Sequence, residues 1–198
     1  GTALTGEFAL GVTGANAGGY IKNCIVKSNT TNRIPVVLIT GTITNSLVIS
    51  ATDGVYVQSG TIISSTTVIK TGSAANAAVV SDYGPPTVKN LAAFGFSSVL
   101  GGSDTGFNAA SSNNATDLSS GPTNWGTGSL VSKTFANQFQ NIGSGTEDFR
   151  VKAGSDLIGA GVRDQTYTSD LDIVGTARST GTAPSGPTIG AWEFPSVT

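Results

Sequence analysis

The stretch GTITNSLVIS, from Gly41 to Ser50, has a close copy on either side of it. GYIKNCIVKS spans residues 19–28 and GTIISSTTVIK spans residues 60–70. The glycines that open the copies lie at positions 19, 41 and 60, so they are 22 and then 19 residues apart. Self-similarity at a period near 20 residues is typical of a solenoid, in which each repeat packs on its neighbours.

The residues within the repeats favour β-strands. They are short apolar runs rich in Val, Ile and Thr and punctuated by glycine, without a helical period of 3.6. A second apolar run separates the copies each time (IPVVLIT, GVYVQS and NAAVVS), which predicts two short strands per repeat. A fourth copy, PTVKNLAAF, spans residues 86–94. We therefore expect an all-β parallel solenoid with about four coils between residues 19 and 99.

Stacked coils place equivalent residues on one another. The repeat predicts an interior column of Ile21, Ile43, Ile62 and Val88, although GTIISS also aligns on Ile63. It predicts a ladder of Asn23, Asn45 and Asn90 at a bend, with Ser64 or Ser65 taking the third place. Asparagine tolerates the left-handed backbone of a tight bend, and its amide can bond a neighbour along the stack. A β-sandwich is the alternative all-β fold, but no Asn-Gly hairpin joins two alternating runs.

Composition excludes several classes of protein. The chain of 198 residues has 11% charged residues and a net charge of −2, and its 10 Lys and Arg form no basic stripe for nucleic acid. No apolar run reaches the roughly 18 residues of a membrane-spanning helix. Absence of His excludes His-based catalysis and His-containing metal sites, and Cys24 is expected to be a small buried residue. Because there is also no Met, we expect a processed or excised part of a longer chain.

Residues 100–141 have a different composition, rich in Ser, Asn and Gly, with isolated aromatic residues at Phe107 and Trp125. The pattern predicts a long excursion on the surface of the solenoid. Long loops in compact domains are commonly functional or packed by their own side chains. Phe107 and Trp125, together with Tyr83, are therefore candidate ligand-binding platforms for sugars, and the alternative is that the two rings anchor the loop to the solenoid.

The segment from 142 to 198 carries an ordered set of motifs: Asp148-Phe149-Arg150, Gly154-Ser155, Ile158-Gly159-Ala160-Gly161, Asp170 with Asp172, Gly175 and Arg178, and finally Ile189-Gly190-Ala191-Trp192-Glu193-Phe194. This series resembles the C-terminal end of right-handed parallel β-helix proteins of the pectate-lyase-like superfamily, as found in phage and surface-associated proteins. Asp156 stands where that pattern usually has proline. The resemblance implies one β-helix domain over residues 1–198, with a C-terminal cap.

We expect Asp170, Asp172, Arg178, Trp192 and Glu193 to lock this cap across the last coil, because an uncovered solenoid end exposes strand edges and apolar core. The rival interpretation is a calcium site, since Asp170 and Asp172 are alternate residues with hard oxygen ligands. A third acid at similar spacing is missing. We therefore expect no cofactor, with calcium as the one ion to be tested.

The resemblance implies two functions of different classes. The first is a noncatalytic structural or recognition module of a virion or cell-surface assembly, of decoration, fibre, spike or adhesin type, which contacts glycans, neighbouring proteins or further copies of itself in a trimer. The alternative is the C-terminal part of a polysaccharide lyase or glycoside hydrolase. Such enzymes gather carboxylates, or an acid cluster with Lys or Arg, on successive coils of one sheet. Asp53 and Asp82 are the only acidic residues between residues 19 and 96, so we expect no catalytic residues. We expect the protein to act outside the cytoplasm, on a cell surface or in a virion.

Overall fold

A computed structural model describes residues 8–12, 19–28, 34–38, 40–73, 75–163, 166, 170–181 and 184–194. The fold is nearly all-β, with one helix of four residues among those described. The strands in chain order are β1 (Phe8–Val12), β2 (Gly19–Lys22), β3 (Ile25–Ser28), β4 (Ile34–Leu38), β5 (Gly41–Thr44), β6 (Leu47–Ser50), β7 (Val55–Gln58), β8 (Ile62–Ser64), β9 (Thr67–Lys70), β10 (Ala77–Asp82), β11 (Thr87–Lys89), β12 (Ala92–Phe94), β13 (Ser98–Gly102), β14 (Ala115–Thr116), β15 (Phe139–Asn141) and β16 (Asp148–Val151).

The first fourteen strands form three parallel sheets that the chain visits in turn. Sheet A has the order β1-β4-β7-β10-β13, sheet B the order β2-β5-β8-β11, and sheet C the order β3-β6-β9-β12-β14. This is a parallel β-solenoid of about four turns, as the repeat predicts. The strand count per turn was predicted wrongly, since each complete turn has three strands.

The extra strand arises because each repeated motif is bent in its middle. Asn23, Asn45 and Asn90 have positive φ angles of 55°, 48° and 54°, and Ser65 has 45° in the third coil. This left-handed residue ends the sheet B strand, and the chain resumes in sheet C two residues later. Glycine would adopt this left-handed conformation at a lower free-energy cost than asparagine or serine. Asparagine and serine instead supply a side chain that can hydrogen-bond across the bend.

The register of the third coil is settled at Ile63. Ile43 pairs with Ile63, and Ile63 pairs with Val88, so the interior column is Ile21, Ile43, Ile63 and Val88. All four side chains are at most 2% exposed. Gly60 lies three residues before Ile63, whereas Gly41 lies two residues before Ile43, because a turn in which Thr61 N–H donates to Gln58 O precedes β8. The glycine of the repeat therefore gave the wrong alignment at this coil.

The interior of the solenoid is a continuous aliphatic core. Sheet A contributes the column Val36, Val55, Val79 and Leu100, and sheet C contributes Val26, Val48, Val68 and Ala93. Gly41 permits the close approach of neighbouring coils, since a Cβ there would lie 2.1 Å from Gly19 O. Like residues thus stack on like throughout the core, which explains why the sequence repeats itself.

Residues 100–130 continue the solenoid, so this part of the expected surface excursion over 100–141 does not form. β13 and β14 pair with β10 and β12, and single parallel bridges join Gly106 to Thr123 and Ala115 to Leu130. Phe107 and Trp125 belong to the interior core, at 1% and 8% exposure. Their ring centroids are 5.9 Å apart. The aromatic residues fill the irregular final turns, where aliphatic columns stop.

The C-terminal segment covers the outer face of sheet C. After helix α1 (Phe135–Gln138), β15 and β16 form a two-stranded antiparallel sheet. Phe139, Phe149 and Trp192 pack with the outward residues of sheet C in a second apolar core, whose solenoid members are Leu47, Ile49, Ile69, Ala92, Phe94 and Ala115. No helix among the described residues is long and apolar enough to cross a membrane.

Candidate functional site

The asparagine ladder joins the solenoid to the C-terminal tail, which is the chain that follows β16. Asn45 Nδ2 donates to Asn23 Oδ1 at 3.3 Å, which is the bond along the stack that the sequence suggests. Asn90 instead bonds the tail twice: its Nδ2 donates to Val162 O at 2.7 Å, and Val162 N–H donates to its Oδ1 at 2.8 Å. Asn113, at φ 52°, extends the ladder by one coil and donates to Ala160 O. The ladder therefore acts as an attachment line for the tail.

The tail follows this line down the side of the solenoid. Along the chain it contacts Asn113 and Asn90 first, and it then reaches the second coil at Asn45, which donates to Leu171 O. It returns to the third coil at Thr67, whose Oγ1 accepts from Ala191 N–H at 2.9 Å. The cap was expected across the last coil, and the structure differs because the apolar surface that needs cover is the outer face of sheet C, which extends from β6 to β14.

Arg178 is the centre of the tail. It is 4% exposed, and its Nη1 lies 3.4 Å from Glu193 Oε2. Its Nη2 donates to the oxygens of Asn45, Gly190 and Ala191 at 2.9–3.0 Å. Burial lowers the pKa of Arg178 and raises the pKa of Glu193, and each partner opposes the shift of the other. One buried guanidinium thus ties the second coil to two parts of the tail.

Asp172 shapes the tail through backbone bonds. Its Oδ1 accepts from the N–H groups of Val174 and Thr176, at 3.0 and 2.7 Å, and its Oδ2 accepts from Glu193 N–H at 2.9 Å. Asp170 pairs with Arg163. Both carboxylates therefore have protein partners and are directed to different groups. Within the described residues, no group of three His, Cys, Asp or Glu side chains is placed to hold a metal ion.

The candidate aromatic platform is not assembled. Phe107 and Trp125 are buried in the core, whereas Tyr83 is 79% exposed on the turn after β10. A ring that is covered on both faces offers no surface to a sugar, so the alternative interpretation of the two core rings, as anchors, fits the geometry. Cys24 is half-buried, and its Sγ lies 3.2 Å from Lys22 O.

The acids of the coils connect neighbouring turns. Asp53 accepts from Ala77 N–H and Asp82 from Ser103 N–H, each at 2.7 Å, while Asp104 and Asp117 accept from Gly84 and Gly95. Each bond spans between 20 and 24 residues, which is about one coil. Sequence reasoning missed this role. A signal was present, because these four acids recur at intervals of 29, 22 and 13 residues beside turns.

The outer face of sheet A carries a small polar group. Gln58 Nε2 lies 3.4 Å from Tyr56 Oη, and the Tyr56 hydroxyl is close enough to Asp82, on the next coil, to lower the pKa of that carboxyl. Hydrogen bonds from Ser103 lower this pKa more strongly than Tyr56 does. Tyr56, Gln58 and Asp82 are all half-buried. This face offers a phenol, an amide and an ionised carboxylate to a partner.

The fold and these contacts define a parallel β-solenoid with a flank-covering C-terminal segment. Comparisons with protein-family models, with curated proteins and with solved structures find no match to this chain.

Proposed function

We propose that this chain is a noncatalytic structural and recognition module that works in an extracellular, cell-surface or virion assembly. The supporting observation is that all four acids between residues 40 and 131 accept backbone N–H groups from a neighbouring coil. Catalytic carboxylates need a reacting group within hydrogen-bond reach, and their pKa values are tuned for proton transfer. Carboxylates that bond the backbone stabilise the stack instead.

The resemblance of residues 142–198 to the C-terminal end of pectate-lyase-like β-helices supports the same proposal, and it is the basis for the choice of a virion or surface location. The outer face of sheet A, with Tyr56, Gln58 and Asp82, is the proposed contact surface for neighbouring proteins or for further copies of this chain in a trimer. The Tyr56 side chain has two χ angles and loses little conformational entropy on binding, which favours such a role.

Cleavage of an acidic polysaccharide is the second candidate function. The observation that favours it is the contact of the Tyr56 hydroxyl with Asp82 on an exposed sheet, one coil away from Asp104, whose Oδ2 accepts from Ser81 Oγ at 2.8 Å. In a hydrolase, a second acid would have to act with Asp82 across a substrate. Asp104 is engaged by Ser81 and Gly84, so this pair fits the role less well.

The test of the proposed function is sedimentation of the native source material, with intact-mass spectrometry of each fraction. We expect the chain in a large particle, at a stoichiometric level. Recovery of the chain free in the medium would contradict the proposal. In parallel, the purified chain is incubated with polygalacturonate and alginate, and reducing ends are measured. Release of reducing ends that is lost in Asp82→Asn would establish the enzyme instead.

A further inference from the structure

A groove of about 470 Å³ lies between the β15–β16 sheet and the tail. It is separate from the outer face of sheet A and from Tyr83. Ligand sites in proteins are concave, mostly apolar and furnished with a few polar groups, and they usually measure 300–1,000 Å³. From the side chains that line it, we propose that this groove binds a neutral oligosaccharide.

The apolar side of the groove is formed by Val174 and Phe194, with Trp192 beneath them at 8% exposure. Val174 is 70% exposed, which is unusual for an aliphatic residue in a tail whose other large apolar side chains are mostly covered. The C–H face of a sugar ring can cover the exposed side chain of Val174, because both surfaces are apolar. The hydroxyl groups at the ring edge then point toward the opposite side of the groove.

The polar side of the groove has unused hydrogen-bonding capacity. Gln140 donates one Nε2 hydrogen to Val151 O at 3.3 Å, and its amide can make further bonds. Arg150 uses Nε and Nη2 on Asp148, which leaves the Nη1 hydrogens for a ligand. Thr176 lines the groove as well and adds a hydroxyl. These donors and acceptors match the mixed character of sugar hydroxyls.

The charges around the groove select against an anionic ligand. Arg150 is neutralised by Asp148, and Arg178 by Glu193. Asp172 then leaves one negative charge at the floor of the groove. A uronate would face this charge without a free cation of its own, whereas an uncharged sugar meets no such penalty.

The groove is built in advance of binding. Asp172 fixes the backbone from residue 172 to 176 with two hydrogen bonds and Glu193 with a third, and Arg178 bonds the carbonyl groups of residues 190 and 191. A ligand therefore has little protein to order when it binds. This inference does not depend on the proposed function, since a free chain could bind sugar equally well.

The test is a titration of the full chain with maltotetraose, cellotetraose, mannotetraose and tetragalacturonate, followed by NMR of the two indole N–H signals. Trp125→Phe assigns the signals, because the chain has two Trp residues. We expect a neutral tetrasaccharide to shift the Trp192 signal and to leave the Trp125 signal in place. Absence of a shift with every neutral sugar, or a preference for tetragalacturonate, would overturn the proposal.

Two variants locate the site. Val174→Asp adds charge to an exposed position and should weaken binding at least tenfold, and Gln140→Ala should weaken it several-fold. Tyr83→Ala is the control, because Tyr83 is similarly exposed but lies on a turn of the solenoid. Equal affinity in Val174→Asp and the wild type, or loss of affinity in Tyr83→Ala, would show that the sugar binds elsewhere. Far-ultraviolet circular dichroism checks that each variant is folded.

Discussion

Sheets A and C are built from the same coils, yet the outer face of sheet C is covered and the outer face of sheet A is partly exposed to solvent. The outer face of sheet C presents Leu47, Ile49, Ile69 and Phe94, and the C-terminal segment buries all four. The outer face of sheet A presents Tyr56, Gln58 and Asp82, which remain half-buried. A solenoid can thus use one outer face for stability and another for contact. The difference between the two outer faces depends on the residues that neighbour the interior columns in each strand, since these side chains point outward.

The largest expected effect is at the covered face. Phe139 is 1% exposed, and its ring centroid lies 5.5 Å from that of Phe94 and 5.9 Å from that of Phe149. Phe139→Ala should lower the free energy of unfolding by about 3 to 5 kcal/mol, measured by urea denaturation. Tyr56→Phe on the outer face of sheet A is the control and should change it by less than about 1 kcal/mol. Similar losses in the two variants would remove the distinction between the faces.

The next effect concerns the residue that holds the tail on that face. Arg178→Met leaves the carboxylate of Glu193 buried without its cation and should cost about 3 kcal/mol. We expect a value at the low end of the range for buried pairs, since Thr188 N–H still bonds Glu193 at 2.9 Å. Arg150→Met breaks an exposed pair with Asp148 and should cost much less, because solvent screens that pair. A smaller loss in the Arg178 variant than in the Arg150 variant would refute the role of Arg178.

The ladder supplies a matched pair of variants. Asn90→Ala loses the two bonds to Val162 and strains a positive φ, so it should cost about 2 to 3 kcal/mol. Asn90→Gly loses the same bonds but tolerates the backbone, so it should cost about 1 kcal/mol less than the alanine variant. Thermal unfolding of both variants gives the difference. Equal stabilities would mean that the left-handed bend contributes no strain.

The smallest effect is a pH dependence in the coils. Burial raises the pKa of Asp117 above its ordinary value of 3.8, so the folded chain binds this proton more tightly than the unfolded chain does. The stability contributed by Asp117 is therefore greatest below pH 3.8 and falls as the pH rises through the folded pKa. In Asp117→Asn, the free energy of unfolding should decrease less with rising pH than in the wild type, by a difference of less than about 1 kcal/mol. Urea denaturation at several pH values checks the slope, and an unchanged slope would contradict the assignment.

The sequence was sufficient to predict the stacked coils, because Ile21, Ile43 and Val88 are equivalent residues in visible copies of one motif. The covered face also had a local signal that we missed. LVIS in β6 and TVIK in β9 lack the alternation of a strand with one face in water. Apolar residues at both the odd and the even positions of a strand indicate that both of its faces are buried.

Other features could not be predicted from the sequence. Arg178 bonds Asn45 across 133 residues of sequence, and no pattern in either segment specifies that partner. The course of the tail depends on which face offers apolar area, a property of the folded coils. Phe107 and Trp125 looked like surface rings because their neighbours are polar, yet they complete the core where the repeats become irregular.

Hydroxyl-radical footprinting of the native chain, read out by mass spectrometry and normalised to the unfolded chain, tests the contrast between the two faces most directly. We predict strong protection of Phe94 and Phe139 under the C-terminal segment, and labelling of Tyr56 and Tyr83. Labelling of Phe94 and Phe139 at a normalised rate equal to that of Tyr83 would contradict the structure, since it would mean that the outer face of sheet C is open to water.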